Sequence, residues 1–114
     1  MKFEQLDEFK RDVKKLLKKY RTLEDDLDVV KMDLTDEPGE SPPFSYRIEG
    51  LGLTTCIIKV KKIACRAMKG RGVNSGLRLI YAWFEEENRI VFVELYFKGD
   101  KEMEDRERIF KYFK

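Results

Sequence analysis

Apolar side chains between Phe3 and Tyr20 fall at Phe3, Leu6, Phe9, Val13, Leu16, Leu17 and Tyr20. Those intervals of three and four form one stripe of an amphipathic helix, with lysines and arginines outside it. Thr22 then reads as an N-cap, with Asp25 three residues on as a capping-box partner. The second helix it opens buries Leu23, Leu27, Val30 and Leu34. The connection, Arg21 to Thr22, is short enough to make the two helices an antiparallel hairpin. TDEPGESPP (35–43) is a loop by composition. After Gly50 and Gly52 the period changes from 3.6 to 2. Thr54–Ile63 alternates β-branched residues with lysines, LRLIYAWF (77–84) is a second strand, EEEN (85–88) a turn, and RIVFVELYF (89–97) a third strand. A last helix, about Glu102 to Tyr112, carries Met103, Ile109 and Phe113 on one side.

The expected fold is therefore α+β, in the order α-α-β-β-β-α. An N-terminal helical hairpin packs on a small antiparallel β-meander with a C-terminal helix, and the helices gather on one face of the sheet. A chain of 114 residues supports one core, so residues 1–114 are read as a single domain. No internal repeat is visible.

Strand alternation also distributes the side chains. Leu79, Tyr81 and Trp83 share one face of the second strand, opposite Arg78, Ile80 and Ala82. Lys59 and Lys61 lie opposite Ile58 and Val60. In the third strand Glu94, Tyr96 and Lys98 oppose Val93, Leu95 and Phe97. If the bulkier sets pack on the helices, Lys59, Lys61, Arg78, Tyr96 and Lys98 converge on the open face as a cationic, aromatic-bearing concavity. Such donors suit phosphate, which arginine grips bidentately.

Charge sharpens this picture. The net charge is only +2, but Gly50–Phe84 contains seven basic residues (Lys59, Lys61, Lys62, Arg66, Lys69, Arg71 and Arg78) and no Asp or Glu. The remainder of the chain holds 17 basic against 22 acidic residues. A positive face on a nearly neutral protein is the footprint of a polyanionic partner. The bland reading is a lysine-rich sheet edge that resists edge-to-edge pairing, although such edges usually mix both signs.

Other chemistry is restricted. The chain has no histidine, the commonest general base and metal ligand, so no metal site and no cofactor are expected. Cys56 and Cys65 lack CxxC spacing and read as small apolar core residues. The N-terminus has acids within its first eight residues and no apolar run behind them. No stretch nears the roughly 20 apolar residues of a membrane span, so a cytoplasmic location without membrane partners is expected. Gly70-Arg71-Gly72-Val73-Asn74-Ser75-Gly76 has phosphate-binding flavour, but it lacks the Lys-Ser/Thr ending of a P-loop and leads into a strand. Either its glycines supply positive φ angles to a hairpin loop, or its backbone meets nucleic acid directly.

The succession KVKKIACR (59–66), KGRGVNSGLRLIY (69–81) and IVFVELYFKGDKE (90–102), behind two helices, resembles the RelE/ParE toxin superfamily of bacterial toxin–antitoxin systems. Within it, the chain is similar to the RelE and HigB-like branch. The matching stretch runs from Ile58 to about Glu102, with helical support from Phe9 to Leu34. Many members begin with a β-strand, whereas Met1–Glu4 is short and runs into a helix, which argues against a fourth strand here.

The resemblance implies cleavage of mRNA in the ribosome without metal, the 2′-hydroxyl attacking the adjacent phosphate. It implies catalytic roles for Lys59, Lys61, Arg66, Arg78, Tyr96 and Lys98, with Lys62, Lys69 and Arg71 steering RNA by charge. In that scheme neighbouring cations push the pKa of a base lysine downward. Arg78 stabilises the pentacoordinate phosphate, and Tyr96 stacks on a base or orients the 2′-hydroxyl. Some relatives use a late Tyr or His as general acid. Here Tyr112 lies in the final helix, and the acid is unassigned. The implied partners are mRNA, the ribosome and a cognate antitoxin with an acidic, partly disordered segment. Two alternatives belong to other classes: a non-enzymatic gyrase poison of the ParE type, and a catalytically inactive nucleic-acid- or ribosome-binding module.

Overall fold

The computed structural model describes residues 1–114. Eight elements follow one another: β1 (Lys2–Gln5), α1 (Asp7–Leu17), α2 (Leu23–Asp36), β2 (Ser45–Arg47), β3 (Cys56–Val60), β4 (Leu77–Phe84), β5 (Arg89–Phe97) and α3 (Arg106–Phe113). The strands form one mixed sheet in the order β1-β5-β4-β3-β2, with β1 parallel to β5 and every other pair antiparallel.

This corrects the expected fold in three ways. The chain does not open with a helical hairpin on a three-stranded meander: a strand precedes the helices, and a further strand, β2, follows them. Lys2–Gln5 becomes a strand because Phe3 stacks on Phe92, with ring centroids 5.8 Å apart. Backbone bonds from Lys2 N–H to Asn88 C=O and from Leu6 N–H to Phe92 C=O, both 3.0 Å, close its ends. Phe3 fits the helical stripe equally well in sequence, so pairing with β5 decides its conformation. Asp7 and Glu8 then occupy the first turn of α1, where the helix dipole favours acids.

The second correction concerns layers. One buried cluster joins Phe9, Leu23, Leu27 and Leu34 of the two N-terminal helices to Ile58, Leu79, Tyr81 and Phe92 of the sheet. A second cluster, on the opposite face, joins Ile109 of α3 to Ile57, Ile80, Ala82, Val91, Val93 and Tyr96. Helices therefore cover both faces, and β4 and β5 are buried on both sides. Consistent with this, LRLIYAWF and RIVFVELYF are nearly continuous apolar runs.

The third correction is a β-bulge. Ile80 pairs with Glu94 and Tyr81 with Phe92, so Val93 is an extra residue. Val93 therefore turns to the α3 face rather than sharing a side with Leu95 and Phe97. Where β1 ends, the outer edge of β5 lacks a strand partner. Asp12 of α1 and Arg108 of α3 take over that edge. Arg108 Nη1 donates to Val93 C=O (2.8 Å) and to Asp12 Oδ2 (2.7 Å), while Asp12 Oδ2 accepts from Leu95 N–H (3.1 Å). One ion pair thus satisfies the backbone groups left open where β1 ends.

Smaller boundaries also move. α1 ends at Leu17 rather than Tyr20, and β3 is shorter than Thr54–Ile63. α3 begins at Arg106, so Met103 lies outside it and is exposed. Asp105 caps α3 by accepting from Arg108 N–H at 3.0 Å. Thr22 makes no capping bond; its hydroxyl donates to Asp26 Oδ2 at 2.7 Å instead. No helix is long and apolar enough to cross a membrane.

Removing the edge clamp has a defined consequence. Asp12→Ala strands the half-buried Arg108 guanidinium and leaves Leu95 N–H without its acceptor, so unfolding in urea should lose about 2–4 kcal/mol. Asp7→Ala, at an exposed position paired only with Lys10, should change stability by less than about 0.5 kcal/mol.

Candidate functional site

The strand register assigns the cations. Lys59 on β3 stands opposite Tyr46 of β2 and Ile80 of β4, while Arg78 on β4 stands opposite Tyr96 of β5. Tyr46, Lys59, Arg78 and Tyr96 therefore share the face that carries α3. At the end of this face that α3 does not reach, a cleft of about 340 Å³ opens, lined by Pro43, Tyr46, Lys61, Lys62, Asn74, Gly76, Arg78 and Lys98.

Each wall of the cleft has a local cause. Lys61 and Lys62 leave β3 with their backbone N–H groups on Phe44 C=O, at 2.8 and 3.3 Å. Lys98 enters from β5 with its N–H on Gly76 C=O at 2.8 Å. Gly76 has φ +90°, and a Cβ there would sit 2.7 Å from Phe97 Cε1, so only glycine fits between the loop and β5. The buried Ser75 hydroxyl donates to Ile63 C=O at 2.6 Å and accepts from Leu77 N–H at 3.2 Å, tying the glycine-rich loop to the end of β3. Gly70 and Gly72 supply positive φ angles, as a connecting loop requires.

Four cations line the cleft and no carboxylate does. Lys62 Nζ donates to Asn74 Oδ1 at 2.7 Å. Arg78 Nη1 is committed to the carbonyls of Lys61 (2.9 Å) and Leu77 (3.3 Å). These bonds fix the guanidinium plane while leaving the Nε–Nη2 edge, the edge that matches two phosphate oxygens.

Lys59 and Tyr96 lie beside this cleft but are enclosed. Lys59 Nζ meets Glu104 Oε1 at 3.1 Å, and their side chains are only 16% and 5% exposed. The ammonium also lies 5.7 Å from the centre of the Tyr96 ring. Burial lowers the pKa of Lys59, but the adjoining Tyr96 and Glu104 outweigh it and hold the lysine above its ordinary value. That is opposite to the direction a base lysine needs, and it corrects the expectation that surrounding cations would depress it. The carboxylate of Glu104 also binds Arg106 at 3.1 Å. Although burial raises its pKa, hydrogen bonds from its own backbone and from Lys59 bring it below the usual carboxylate value. Tyr96 is buried, its ring flanked by Lys59 and Lys101, and its hydroxyl has no hydrogen-bond partner. A base cannot stack on it in this arrangement.

The remaining expected residues disperse. Arg66, in the segment after β3, packs against the first turn of α2, paired with Asp25 (3.1 Å) and Asp26 (3.5 Å). Lys69 and Arg71 are exposed on the glycine-rich loop and do not line the cleft. Of the nine cationic and aromatic positions expected, Lys61, Lys62, Arg78 and Lys98 meet in one place. Asn74 and Gly76 of the glycine-rich loop join them, and Pro43 and Tyr46 join unannounced. The strand carrying Tyr46 is three residues long and follows a Ser-Pro-Pro segment that reads as loop. No three His, Cys, Asp or Glu side chains gather where they could hold a metal ion.

No protein-family model matches the chain, and no curated protein matches it.

The Lys59–Glu104 pair makes stability depend on pH with a definite sign. Glu104, with its folded pKa lowered from 4.5, contributes stability above its unfolded value and loses it as pH falls through the folded value. Lys59, raised from 10.5, contributes below its unfolded value and loses it as pH rises through the folded value. Glu104→Gln should therefore cost about 2 kcal/mol at neutral pH. That cost should shrink toward zero in acid, where wild-type Glu104 is itself protonated. Urea titrations of both proteins across pH measure the difference.

Proposed function

We propose that the protein is an RNA-cleaving toxin that uses the acid-free cleft to hold a phosphodiester for attack by the neighbouring 2′-hydroxyl. The observation that carries this reading is the convergence of Lys61, Lys62, Arg78 and Lys98 without a carboxylate among them. In a protein where 22 acids face 24 bases, a cluster of this kind is electrostatically unfavourable until an anion enters. The resemblance to the RelE/ParE superfamily supplies the reaction class.

In this scheme the free edge of Arg78 grips the non-bridging oxygens, whose charge grows in the transition state. Lys61, which follows β3 and reaches the cleft, takes the 2′-hydroxyl proton. The 2′-oxygen attacks phosphorus, the bond to the 5′-oxygen breaks, and Lys98 protonates the departing oxygen. The products are a 2′,3′-cyclic phosphate and a 5′-hydroxyl. A cleft without histidine or carboxylate depends chiefly on alignment and charge stabilisation. This suits mRNA presented by the ribosome in the cytoplasm, and an antitoxin with an acidic segment that covers the cations.

A second reading is favoured by one observation. Lys59 is locked to Glu104, which fits a nucleic-acid- or ribosome-binding module without catalysis.

Induced expression in a bacterial host with mapping of RNA ends separates these readings. Wild type should arrest growth and yield new 5′-hydroxyl ends in mRNA, and Arg78→Ala should lower cleavage by about 100-fold or more. Growth arrest with intact mRNA would reject the ribonuclease. Accompanying double-strand DNA breaks would select a gyrase poison, and their absence a binding module.

A further inference from the structure

We propose that Tyr46 is the nucleobase platform of the cleft and makes it selective for single-stranded RNA, an inference that rests on the RNA reading of the cleft. The cleft has two chemically different walls. Arg78, Lys98 and Lys62 form the cationic wall, and Tyr46 with Pro43 forms the apolar one. Tyr46 is 40% exposed although it sits on a strand, so its ring faces the cleft rather than the core. Its neighbour Ser45 is buried on the other side of β2, which pins the tyrosine to this face by strand alternation. Lys61 Nζ lies 5.3 Å from the ring centre, so a cation already marks the π surface.

A nucleotide has the same two-sided character, a flat π system joined to an anion. An aromatic ring beside a cationic wall can take both parts together, with the base on Tyr46 and the phosphate on Arg78 and Lys98. Lys61 can leave the ring for the ribose as the base replaces it. Paired bases are already stacked in a duplex and cannot insert, so the geometry favours an unpaired strand. Tyr96, the aromatic first expected to stack, is only 6% exposed and offers no such surface.

The test uses a 2′-O-methyl RNA hexanucleotide carrying 2-aminopurine, which cannot undergo 2′-hydroxyl attack, and inorganic pyrophosphate as a probe of the cationic wall alone. Wild type should bind the hexanucleotide with quenched 2-aminopurine fluorescence, and Tyr46→Phe should match it within about twofold. Tyr46→Leu, which keeps apolar bulk on the edge strand, should weaken binding about tenfold or more and lose the quenching. Pyrophosphate affinity should stay within about twofold in all three proteins. Equal hexanucleotide affinity and quenching in Tyr46→Leu would overturn the stacking role and leave the RNA reading standing. Wild-type protein that binds pyrophosphate but not the hexanucleotide would overturn both.

Discussion

The β-bulge at Val93 governs how the second half of the molecule packs. It turns Val93 onto the face that carries α3, beside the stretch of β5 beyond β1 whose open backbone groups Asp12 and Arg108 satisfy. The next residue, Glu94, is buried. The Glu94 carboxylate accepts from Asp105 N–H at 2.7 Å and pairs with Lys101, anchoring the chain where it enters α3. Once α3 is seated, Glu104 falls on Lys59, and the Lys59–Tyr96 end of the face closes. The cations left open are those beyond the reach of α3. A local irregularity in one strand thus sets the limits of the candidate site.

Charge obeys the same logic. Three partly buried cations elsewhere have carboxylates within ion-pair distance: Lys59 with Glu104, Arg89 with Glu4, and Arg108 with Asp12. Desolvation makes an unpaired charge costly, and these pairs are how the fold offsets it. The cleft differs in kind, since its Arg78 is held by carbonyls and its Lys62 by an amide. Carbonyl oxygens orient a guanidinium without neutralising it. That leaves positive potential available to a ligand, and Gly76 and Ser75 keep its walls in place.

The sequence made the central strands legible because β4 and β5 are long, apolar and bounded by glycines and acids. It made the acid-free cation run legible for the same reason that run matters physically. Three things were hidden. Phe3 satisfies a helical and an extended pattern equally, and only a partner strand distinguishes them. A bulge is one extra residue within an apolar run, invisible to alternation, so alternation puts Val93 on the wrong face. Lys59 and Lys61 are two residues apart and look equivalent, yet an acid 45 positions later in the chain removes one from the cleft. Long-range contacts of that kind have no local signature. Tyr46 was missed because its strand is shorter than any window in which periodicity can be read.

On the proposed function, the open cations of the cleft, rather than positive charge in general, receive RNA. A competing surface exists on the same molecule, since α1 carries Arg11, Lys14 and Lys15 outside its apolar stripe and Lys18 follows as its C-cap. An NMR titration with the non-cleavable hexanucleotide, following backbone amides together with lysine and arginine side chains, compares the two directly. Perturbations should concentrate on Tyr46, Lys61, Lys62, Asn74, Gly76, Arg78 and Lys98. Perturbations confined to Arg11–Lys18, with the cleft signals unmoved, would contradict that proposal.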